Sequence, residues 1–250
     1  MVNPATHKDR VAVVTGGGQG FGRAIATDLA ARGADIVIID LNAAPETVAE
    51  VEALGRRAVS LTADVSDPEA VAEAGKRALE EFDAVDILIN NAGSFPFRDF
   101  FDLDFAGWKK SLAVNLDSQF LTAMTFAPGM RDRGWGRIVN IASNSLGLAV
   151  PSLSHYMAAK GGVVGFTRGL ATDLAAYGIT VNAVSPTASG TPGGKASFPD
   201  GVLENVASMQ AIKRGGEATD IVGTVSFLSS EDCGFVTGQT IVADGGLVRL

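Results

Sequence analysis

Tyr156 and Lys160 lie four positions apart in the second half of the chain and carry complementary proton chemistry. If this segment is helical, their side chains share one face of the helix. A free tyrosine has a pKa of about 10 and is a poor base near neutral pH. An ammonium group at about 4 Å, in an effective dielectric of about 20, would stabilise the phenolate by roughly 4 kcal/mol, or about three pKa units. The spacing therefore predicts that Lys160 lowers the pKa of Tyr156, so that the tyrosine acts as a general acid or base. A tyrosine and a lysine at this spacing also arise by chance, so the prediction needs support from further residues.

Two polar residues earlier in the chain would complete such a site. Ser143 lies thirteen residues before Tyr156, directly after a segment with the pattern of a strand, where its hydroxyl could hold a substrate carbonyl beside the tyrosine oxygen. Asn115 lies inside the preceding helical stretch. Its amide would either anchor a water chain leading to Lys160 or satisfy the backbone of a helix kink, and the sequence leaves both alternatives open. The predicted catalytic set is Asn115, Ser143, Tyr156 and Lys160.

A glycine-rich turn follows the first strand pattern. Residues 16–22 read Gly-Gly-Gly-Gln-Gly-Phe-Gly, and a helical pattern begins at once. Glycines allow a tight turn and a close approach of the backbone to a pyrophosphate, while the free N–H groups of the following helix attract the anion. Glycine-rich turns also join strands to helices for structural reasons alone, so the turn by itself is weak evidence. The predicted phosphate-binding residues are Gly16, Gln19, Gly20, Phe21 and Gly22.

Asp40 makes the expected dinucleotide more specific. It ends the second strand pattern, twenty residues after Gly20, where a carboxylate can accept hydrogen bonds from both hydroxyls of an adenosine ribose. An acid there would repel a 2′-phosphate, and no Arg or Lys lies in the turn or directly after Asp40 as a counter-charge. The sequence therefore predicts NAD rather than NADP, although Asp40 could also be an ordinary strand-end residue. We expect Leu41 beside Asp40 at this site, and Asp64 and Val65, after the third strand, close to the adenine ring.

The elements that must position these residues alternate along the chain. Short apolar, β-branched segments alternate with longer segments whose apolar residues recur at spacings of three and four, as in amphipathic helices. The predicted strands are Val11–Thr15, Ile36–Asp40, Ala58–Leu61, Ile87–Asn90, Ile138–Ala142, Thr180–Ser185 and Thr240–Ala243. The predicted helices include Gly22–Arg32, Ala43–Leu54, Glu69–Phe82 and His155–Ala176. This alternation predicts an α/β fold of the Rossmann type, a doubly wound seven-stranded parallel sheet with helices on both faces.

Length and composition restrict the class of protein. The chain has 250 residues, 46% of them hydrophobic, which is enough for one sizeable core, and we expect a single domain over residues 1–250. Its net charge of −8 disfavours nucleic acid and anionic lipid as partners. The N-terminus lacks the apolar segment of a signal peptide, and no later apolar run is long enough to span a bilayer. We therefore expect a cytoplasmic protein that makes no membrane contact.

Histidine and cysteine are scarce. Cys233 is the only cysteine, so no intramolecular disulfide forms, and its acidic neighbours disfavour a reactive thiolate. His7 lies in the polar N-terminal tail, whereas His155 would point about 100° away from Tyr156 on a helix, so we expect a surface or interface histidine there. These residues give little support to a metal site, and we expect none.

Taken together, these motifs resemble the short-chain dehydrogenase/reductase family over nearly the whole chain. The resemblance rests on Thr15-Gly16-x-x-x-Gly20-x-Gly22, Asn90-Asn91-Ala92-Gly93, Asn115, Ser143, Tyr156-x-x-x-Lys160, Asn182-x-x-x-Pro186, Thr237-Gly238-Gln239 and Asp244-Gly245-Gly246. It implies hydride transfer at a nicotinamide, and a homotetramer in which the helices around Asn115 and Tyr156 pack against those of a neighbour. It also implies that Asn91, Ala92 and Gly93 line the cofactor and that Tyr156 and Lys160 contact it, Lys160 through the nicotinamide ribose.

The loop after the sixth strand departs from the family pattern. The usual Pro-Gly reads Pro186-Thr187, and Ser189 replaces a branched apolar residue, whereas Thr191 is in place. The resemblance implies that these four residues contact the cofactor, but losing the glycine restricts the backbone and puts the nicotinamide contacts and loop closure in doubt. We expect residues 186–212 to form a substrate loop and lid, because residues 186–201 form a long irregular segment rich in Gly, Pro, Ser and Thr.

Residues 94–101, 145–153 and 186–210 are expected to meet above the nicotinamide. Their apolar side chains predict a small hydrophobic alcohol or ketone as substrate, although such residues near a core are more often simply buried. The apolar set is Phe95, Phe97, Leu146, Leu148, Val150 and Leu153. Ser145 could donate one polar contact. The predicted substrate contacts are Phe95, Ser143, Ser145, Leu153 and Tyr156.

The predicted reaction is hydride transfer between NAD(H) and an aryl or cyclic secondary alcohol or ketone. Within the family, residues 134–137 and 238–240 resemble members that oxidise such alcohols, whereas residues 141–144 and 158–162 resemble a pyridoxal-type alcohol dehydrogenase, which stays an alternative. A reductase of carbon–carbon double bonds is disfavoured, because that branch spaces its tyrosine and lysine more widely. A non-catalytic regulatory protein that binds NAD is a further alternative, and the intact set of catalytic residues argues against it.

Overall fold

The computed structural model describes residues 6–249. These residues form one parallel sheet of seven strands flanked by helices. The strands are β1 Val11–Thr15, β2 Asp35–Asp40, β3 Ala58–Thr62, β4 Ile87–Asn90, β5 Gly136–Ile141, β6 Ile179–Pro186 and β7 Thr240–Ala243. In space they follow the order β3-β2-β1-β4-β5-β6-β7. The seven predicted strands and the doubly wound parallel sheet are confirmed, and the strand ends shift by no more than two residues.

Helices cover both faces of this sheet. Their bounds are α1 Gly20–Ala31, α2 Pro45–Ala53, α3 Pro68–Phe82, α4 Phe105–Leu112, α5 Ser118–Arg133, α6 Ser154–Leu174, α7 Pro192–Ser197, α8 Val202–Met209 and α9 Val222–Leu228. Alternate residues of the central strands fill two cores: Val14 and Ile38 face α1 and α9, whereas Val13 and Val37 face α3, α5 and α6. Among residues 6–249, no helix is both long enough and apolar enough to cross a membrane.

The sheet has a crevice between β1 and β4. The chain winds outward from β1 through β2 and β3, then returns to β4 and continues on the other side to β7. The loops after β1 and β4 therefore diverge, and ligands of open α/β sheets bind at such a point, beyond the carboxyl ends of the strands. The glycine turn of residues 16–22 follows β1, and residues 91–93 follow β4. The topology thus brings both motifs to one edge of the sheet.

A buried amide network ties the middle of the sheet to α5 and to α6, the helix that carries Tyr156 and Lys160. Asn90 Nδ2 on β4 donates to Asn140 Oδ1 on β5 at 2.9 Å. Thr122 of α5 donates to Asn90 Oδ1 at 2.6 Å, and Asn140 Nδ2 donates to Thr167 Oγ1 of α6 at 2.9 Å. Because an unsatisfied buried amide is costly, this chain of bonds fixes α5 and α6 against the sheet in one arrangement.

His7 is buried rather than part of a free tail, so that expectation is wrong. Its side chain is 1% exposed, and its Nε2 lies 2.9 Å from Ser229 Oγ, just after α9. Burial, assisted by the nearby Arg32 charge, lowers the pKa of His7 to about 4. The ring therefore stays neutral at physiological pH and links the segment before β1 to α9.

Candidate active site

A cavity of about 910 Å³ opens at the carboxyl ends of the strands. The glycine turn, the ends of β2 and β3, the loops after β4, β5 and β6, and α6 all contribute to its lining. Every predicted cofactor, substrate and catalytic residue lines this cavity, with Gly22 as the one exception. The topology thus brings residues that are far apart in sequence into a single space.

The glycine turn allows its backbone to approach a ligand closely. Gly16 and Gly20 have φ of 64° and 56°, a region that side-chain-bearing residues rarely adopt. Helix α1 begins at Gly20, and no side chain caps this end, which leaves its first N–H groups free to meet an anion. Asn91 Nδ2 donates to Thr15 O at 2.9 Å and to Gly16 O at 3.1 Å, which fixes the turn to the end of β4.

Gly22 has a packing role instead of the predicted contact role. It does not line the cavity. A Cβ at this position would collide with Gly16 O and would lie 2.6 Å from Asn91 Nδ2. Gly22 therefore lets α1 pack closely against the turn, and the phosphate-binding surface is left to the residues before it.

Asp40 reaches back to the glycine turn. Its Oδ2 accepts from Gly18 N at 2.9 Å, and its Oδ1 accepts from Asn42 N at 3.2 Å. The basic residues that line the cavity, Arg98, Lys110 and Lys160, come from other parts of the chain. A carboxylate oxygen has more than one lone pair, so Asp40 can still accept bonds from a ligand.

The Asp64 carboxylate is committed to its own turn. It accepts from Ser66 N at 2.9 Å and from Ser66 Oγ at 2.7 Å, and these bonds hold the pKa of Asp64 below its usual range. Asp64 lines the cavity beside Val65, and both of these bonds go to its Oδ1.

Tyr156 and Lys160 lie on α6 with their side chains together. Lys160 Nζ is 5.7 Å from the centroid of the Tyr156 ring and donates to Ile141 O, at the end of β5, at 2.6 Å. Ser143 lies in the loop after β5, and its hydroxyl donates to Ser145 Oγ at 2.9 Å. An ammonium group has three N–H donors, so Lys160 keeps two of them for other partners.

Burial controls the proton affinities of this pair. It raises the pKa of Tyr156 to about 12, while the Ser143 hydroxyl acts in the opposite direction. Burial also lowers the pKa of Lys160 to about 8. The expected decrease in the pKa of Tyr156 is therefore not found, because Lys160 is not among the groups that lower it and the cost of removing the phenolate from water outweighs the effect of Ser143.

Asn115 sits in a π-helical turn at residues 113–117, between α4 and α5. Its Nδ2 donates to Ser94 O at 2.8 Å and to Ser111 O at 3.0 Å, and its Oδ1 accepts from Ser94 N at 3.1 Å. Both amide hydrogens are thus used by the backbone. These bonds agree with the helix-kink alternative. Oδ1 keeps a second lone pair, so the water chain leading to Lys160 stays a prediction.

Aromatic rings cover the space above Tyr156. The Phe95 centroid lies 6.0 Å from the Tyr156 ring in an edge-to-face arrangement and 5.1 Å from Phe198. Phe97 meets the other side of Phe198 at 6.3 Å. We call Phe95, Phe97 and Phe198 the aromatic wall. Such contacts favour an apolar, ring-containing ligand.

Two expectations for this region are wrong. Leu146 is 38% exposed and does not line the cavity, because it lies on the outer side of the short helical turn after β5. His155 is 2% exposed, and its Nε2 lies 3.1 Å from Pro96 O. The 100° rotation along α6 points His155 at the loop after β4 instead of at solvent.

The loop after β6 is more ordered than the sequence suggests. Thr191 Oγ1 accepts from Gly194 N at 3.0 Å and starts α7, and α8 follows within the predicted lid. Thr187 has no left-handed φ, so replacing the family's glycine causes no backbone strain. Its hydroxyl donates to Gln210 Oε1 at 3.3 Å, and Ser189 Oγ donates to Thr187 O at 3.1 Å. Hydroxyl groups thus hold this loop together.

This sequence and fold have well-described relatives. Residues 16–248 match the family model described as enoyl-(acyl carrier protein) reductase. The chain is 37% identical to cis-4-hydroxycyclohexanecarboxylate dehydrogenase from Sinomonas cyclohexanicum, over 95% of this chain and 96% of that protein. It is 35% identical to cyclohexanol dehydrogenase from Acinetobacter sp. (strain SE19), over 95% of this chain and 94% of that protein.

A solved structure agrees with these matches. The crystal structure of carveol dehydrogenase from Mycobacterium avium in complex with NAD is 31% identical and has a TM-score of 0.90, covering 97% of this chain and 99% of that one. The chain belongs to the short-chain dehydrogenase/reductase family.

Several residues that line the cavity of this short-chain dehydrogenase/reductase were not predicted from the sequence. They are apolar and belong to the lid or to the segment after β7: Phe198, Val202, Val206 and Leu247. The spacing of Val202 and Val206 matches one helical face, so α8 could have been found by its periodicity. For Phe198 and Leu247 no local pattern gives the position, because tertiary packing brings them to the cavity.

Proposed function

We propose that this protein transfers hydride between NAD(H) and a hydrophobic secondary alcohol or ketone that carries a cyclic or aryl group. One observation carries the proposal: Tyr156 and Ser143 share a cavity with the aromatic wall on one side and the glycine turn on the other. An acid/base group, an apolar binding surface and a dinucleotide site are the three parts that this reaction needs.

One end of the cavity is lined by the glycine turn and Asp40, and we call it the cofactor end. Its residues fit NAD. The free N–H groups of α1 suit a pyrophosphate, and the left-handed glycines of the turn leave no side chain in its way. Asp40 would accept hydrogen bonds from the adenosine ribose and repel a 2′-phosphate. The two remaining N–H donors of Lys160 suit ribose hydroxyls next to Tyr156. When bound, NAD supplies the hydride acceptor at its nicotinamide ring.

The catalytic residues have distinct tasks in this scheme. The Tyr156 phenol and the Ser143 hydroxyl, whose hydrogen can rotate from Ser145 Oγ to the substrate, hold the substrate oxygen. Tyr156 accepts the substrate proton in oxidation or donates one in reduction. Because burial raises the pKa of Tyr156, the phenol is protonated at neutral pH, which suits ketone reduction. Oxidation needs the phenolate, and therefore we expect its rate to rise with pH. Asn115 positions the Ser94 segment through its three hydrogen bonds to that segment and to Ser111.

The relatives support a cyclic substrate. Two of them are named for cyclohexane alcohols, and the NAD-bound structural relative is named for carveol. In this chain the aromatic wall, together with Leu148, Val150 and Leu153, provides an apolar surface of the same kind. A second, polar portion of the substrate could reach the Ser145 hydroxyl, which accepts from Ser143 and keeps its own hydrogen.

A substrate panel tests the proposal. Cyclohexanol, cis-4-hydroxycyclohexanecarboxylate, 1-phenylethanol, the corresponding ketones, pyridoxal and an enoyl thioester are supplied with NAD(H) or NADP(H), and the absorbance of the reduced nicotinamide is followed. We expect turnover of cyclic or aryl alcohols with NAD. Turnover of pyridoxal alone would select the pyridoxal-type alternative, and reduction of an enoyl thioester alone would select the double-bond reductase. Tight NAD binding without turnover of any compound would favour a regulatory protein.

We also propose that copies of the chain form a homotetramer through α4, α5 and α6. Large apolar side chains are exposed along this side: Phe105 on α4 is 76% exposed, and Phe120 and Met124 on α5 are 51% and 60% exposed. Phe120 also packs edge-to-face against Phe166 of α6. Exposed apolar side chains on neighbouring helices favour burial against a second copy. Light scattering should give the mass of four chains, and Phe120→Asp should give a smaller species. A monomeric wild-type protein would contradict this.

A further inference from the structure

Residues 244–248 form a compact turn directly after β7, which we call the strap. At its start, the buried carboxylate of Asp244, 3% exposed, accepts four hydrogen bonds. Gly246 N and Leu247 N donate to Oδ1 at 3.0 and 3.1 Å, and Val248 N donates to Oδ2 at 2.8 Å. These three bonds fold the strap on itself. The fourth comes from another part of the chain.

The fourth bond joins the strap to the loop of the catalytic serine. Asn144 Nδ2 donates to Asp244 Oδ2 at 3.1 Å, and Asn144 is itself buried next to Ser143. A second contact lies nearby, because a Cβ on Gly147 would stand 2.6 Å from Val248 Cγ1. The loop of residues 143–147 therefore rests on the strap at two points. Hydrogen bonds to a charged acceptor are about twice as strong as neutral ones. The hydrogen bond from Asn144 to Asp244 is therefore a stronger anchor than the contact between Gly147 and Val248.

The other side of the strap supports the lid. Ile212 N donates to Gly245 O at 2.9 Å, and a Cβ on Gly245 would meet Gln210 Nε2 at 2.8 Å. Gln210 in turn accepts from Thr187 in the loop after β6. One short segment thus contacts the Ser143 loop on one side and the lid on the other, while Leu247 lines the cavity between them.

We propose that Asp244, acting through Asn144, is a positioning residue that holds the Ser143 hydroxyl in place beside Tyr156. The inference rests on the proposed function, because Ser143 matters to catalysis only if Tyr156 is the acid/base group. Asp244 itself does not touch the reacting atoms. Its effect reaches them because the side chain that it binds follows Ser143 directly in the chain. Since the Ser143 hydroxyl lowers the pKa of Tyr156, a displaced Ser143 should leave the phenol harder to deprotonate.

The test variant is Asn144→Ala, which removes the link and leaves the three bonds within the strap intact. We expect kcat for alcohol oxidation at neutral pH to fall about tenfold, the range for losing a hydrogen bond to a charged group. The pH at which kcat for oxidation rises should increase by about half to one pH unit. The dissociation constant for NAD should stay unchanged. A merely structural bond would lower the melting temperature and leave the pH profile in place.

A double-mutant cycle shows whether the effect passes through Ser143. In a Ser143→Ala background, Asn144→Ala should cause little further loss of kcat, because the hydroxyl that it positions is already absent. Gln239→Ala is the matched control: it removes an exposed amide beside β7 that bonds to Thr237 O. We expect this control to keep the wild-type pH profile.

Two outcomes would overturn the inference. One is a pH profile of Asn144→Ala that overlays the wild type, and the other is a full additional loss in the Ser143→Ala background. Amide hydrogen exchange supplies a readout that needs no substrate: residues 143–147 should exchange faster in Asn144→Ala than in the wild type, and equal rates would contradict the inference. If the wild type oxidises no alcohol, the proposed function fails, whereas the exchange experiment still decides whether the strap holds this loop.

Discussion

At the cofactor end of the cavity, the groups that would meet a ligand are held by hydrogen bonds to the backbone. Asn91 bonds to the carbonyls of Thr15 and Gly16, and Asp40 bonds to Gly18 N. At the substrate end, the aromatic wall comes from the loop after β4 and from the lid, and packing between rings holds it. The difference teaches that backbone geometry demands particular residues, whereas packing accepts any side chains of suitable shape.

The largest expected effect comes from the residue where both ends meet. Tyr156→Phe removes the phenol oxygen and keeps the ring against Phe95, so we expect kcat to fall about 10³-fold, within the range for loss of a general acid or base. Binding of NAD, measured by calorimetry, should change less than threefold on this account. An active Tyr156→Phe enzyme would show that the acid/base group lies elsewhere.

The cofactor end is tested next, at Asp40. Asp40→Ser removes the carboxylate that would bind the ribose hydroxyls, and two charge-assisted bonds of this kind are worth roughly 2–4 kcal/mol. We expect the ratio of kcat/KM for NAD to that for NADP to fall about 100-fold. Asp173→Asn, which removes one exposed negative charge from α6, is the control and should keep the ratio. NADP preference in the wild type would contradict our interpretation of Asp40.

Acid should weaken the contact between the segment before β1 and the end of α9. The pKa of His7 is about 4 when folded against an ordinary 6.5 when unfolded, so the unfolded chain binds the proton more readily between these values. The contribution of His7 is complete above pH 6.5 and is lost as the pH falls toward 4. From pH 7.5 to pH 5 this one group should cost about 2 kcal/mol of unfolding free energy.

Urea unfolding at both pH values measures this effect. His7→Gln cannot titrate, so its stability should fall less between pH 7.5 and pH 5 than that of the wild type, even if it starts lower. An identical loss in the two proteins would show that the buried histidine does not cause the acid sensitivity.

The smallest effect is expected at the substrate end. Phe198→Ala removes one ring of the aromatic wall, and an aromatic pair is worth about 0.5–1.5 kcal/mol beyond its buried area. We expect KM for a cyclic alcohol to rise about five- to tenfold, with kcat and NAD binding little changed. Phe235→Ala, at a fully exposed ring outside the cavity, serves as the control. A rise in the dissociation constant for NAD instead would place Phe198 at the cofactor end.

The same contrast explains what the sequence predicts. Local sequence patterns predict the strands, the glycine turn, Asp40 and the Tyr156–Lys160 pair. The strands lie close to their predicted bounds, and the glycine turn, Asp40, Tyr156 and Lys160 all contribute to the cavity. The cytoplasmic location and the contacts with NAD stay predictions. So does the single domain over residues 1–250, of which residues 1–5 and 250 lie outside the described part of the chain.

The errors at His7, His155 and Tyr156 share one physical cause, since burial depends on the tertiary fold. His7 and His155 are both polar residues in unremarkable local sequence, yet tertiary contacts bury them. The pKa of Tyr156 rises because the surrounding fold removes water, an effect that the spacing to Lys160 does not reveal. Phe198 likewise joins the cavity through the path of the lid.

Isotope transfer tests the central claim most directly, because the shared cavity requires hydride to pass from the carbinol carbon straight to the nicotinamide. The best alcohol of the panel is labelled with deuterium at that carbon and supplied with NAD, and the reduced cofactor is analysed by mass spectrometry. We predict one deuterium in each NADH formed. Unlabelled NADH, or no reduction of NAD by any cyclic or aryl alcohol, would contradict the account.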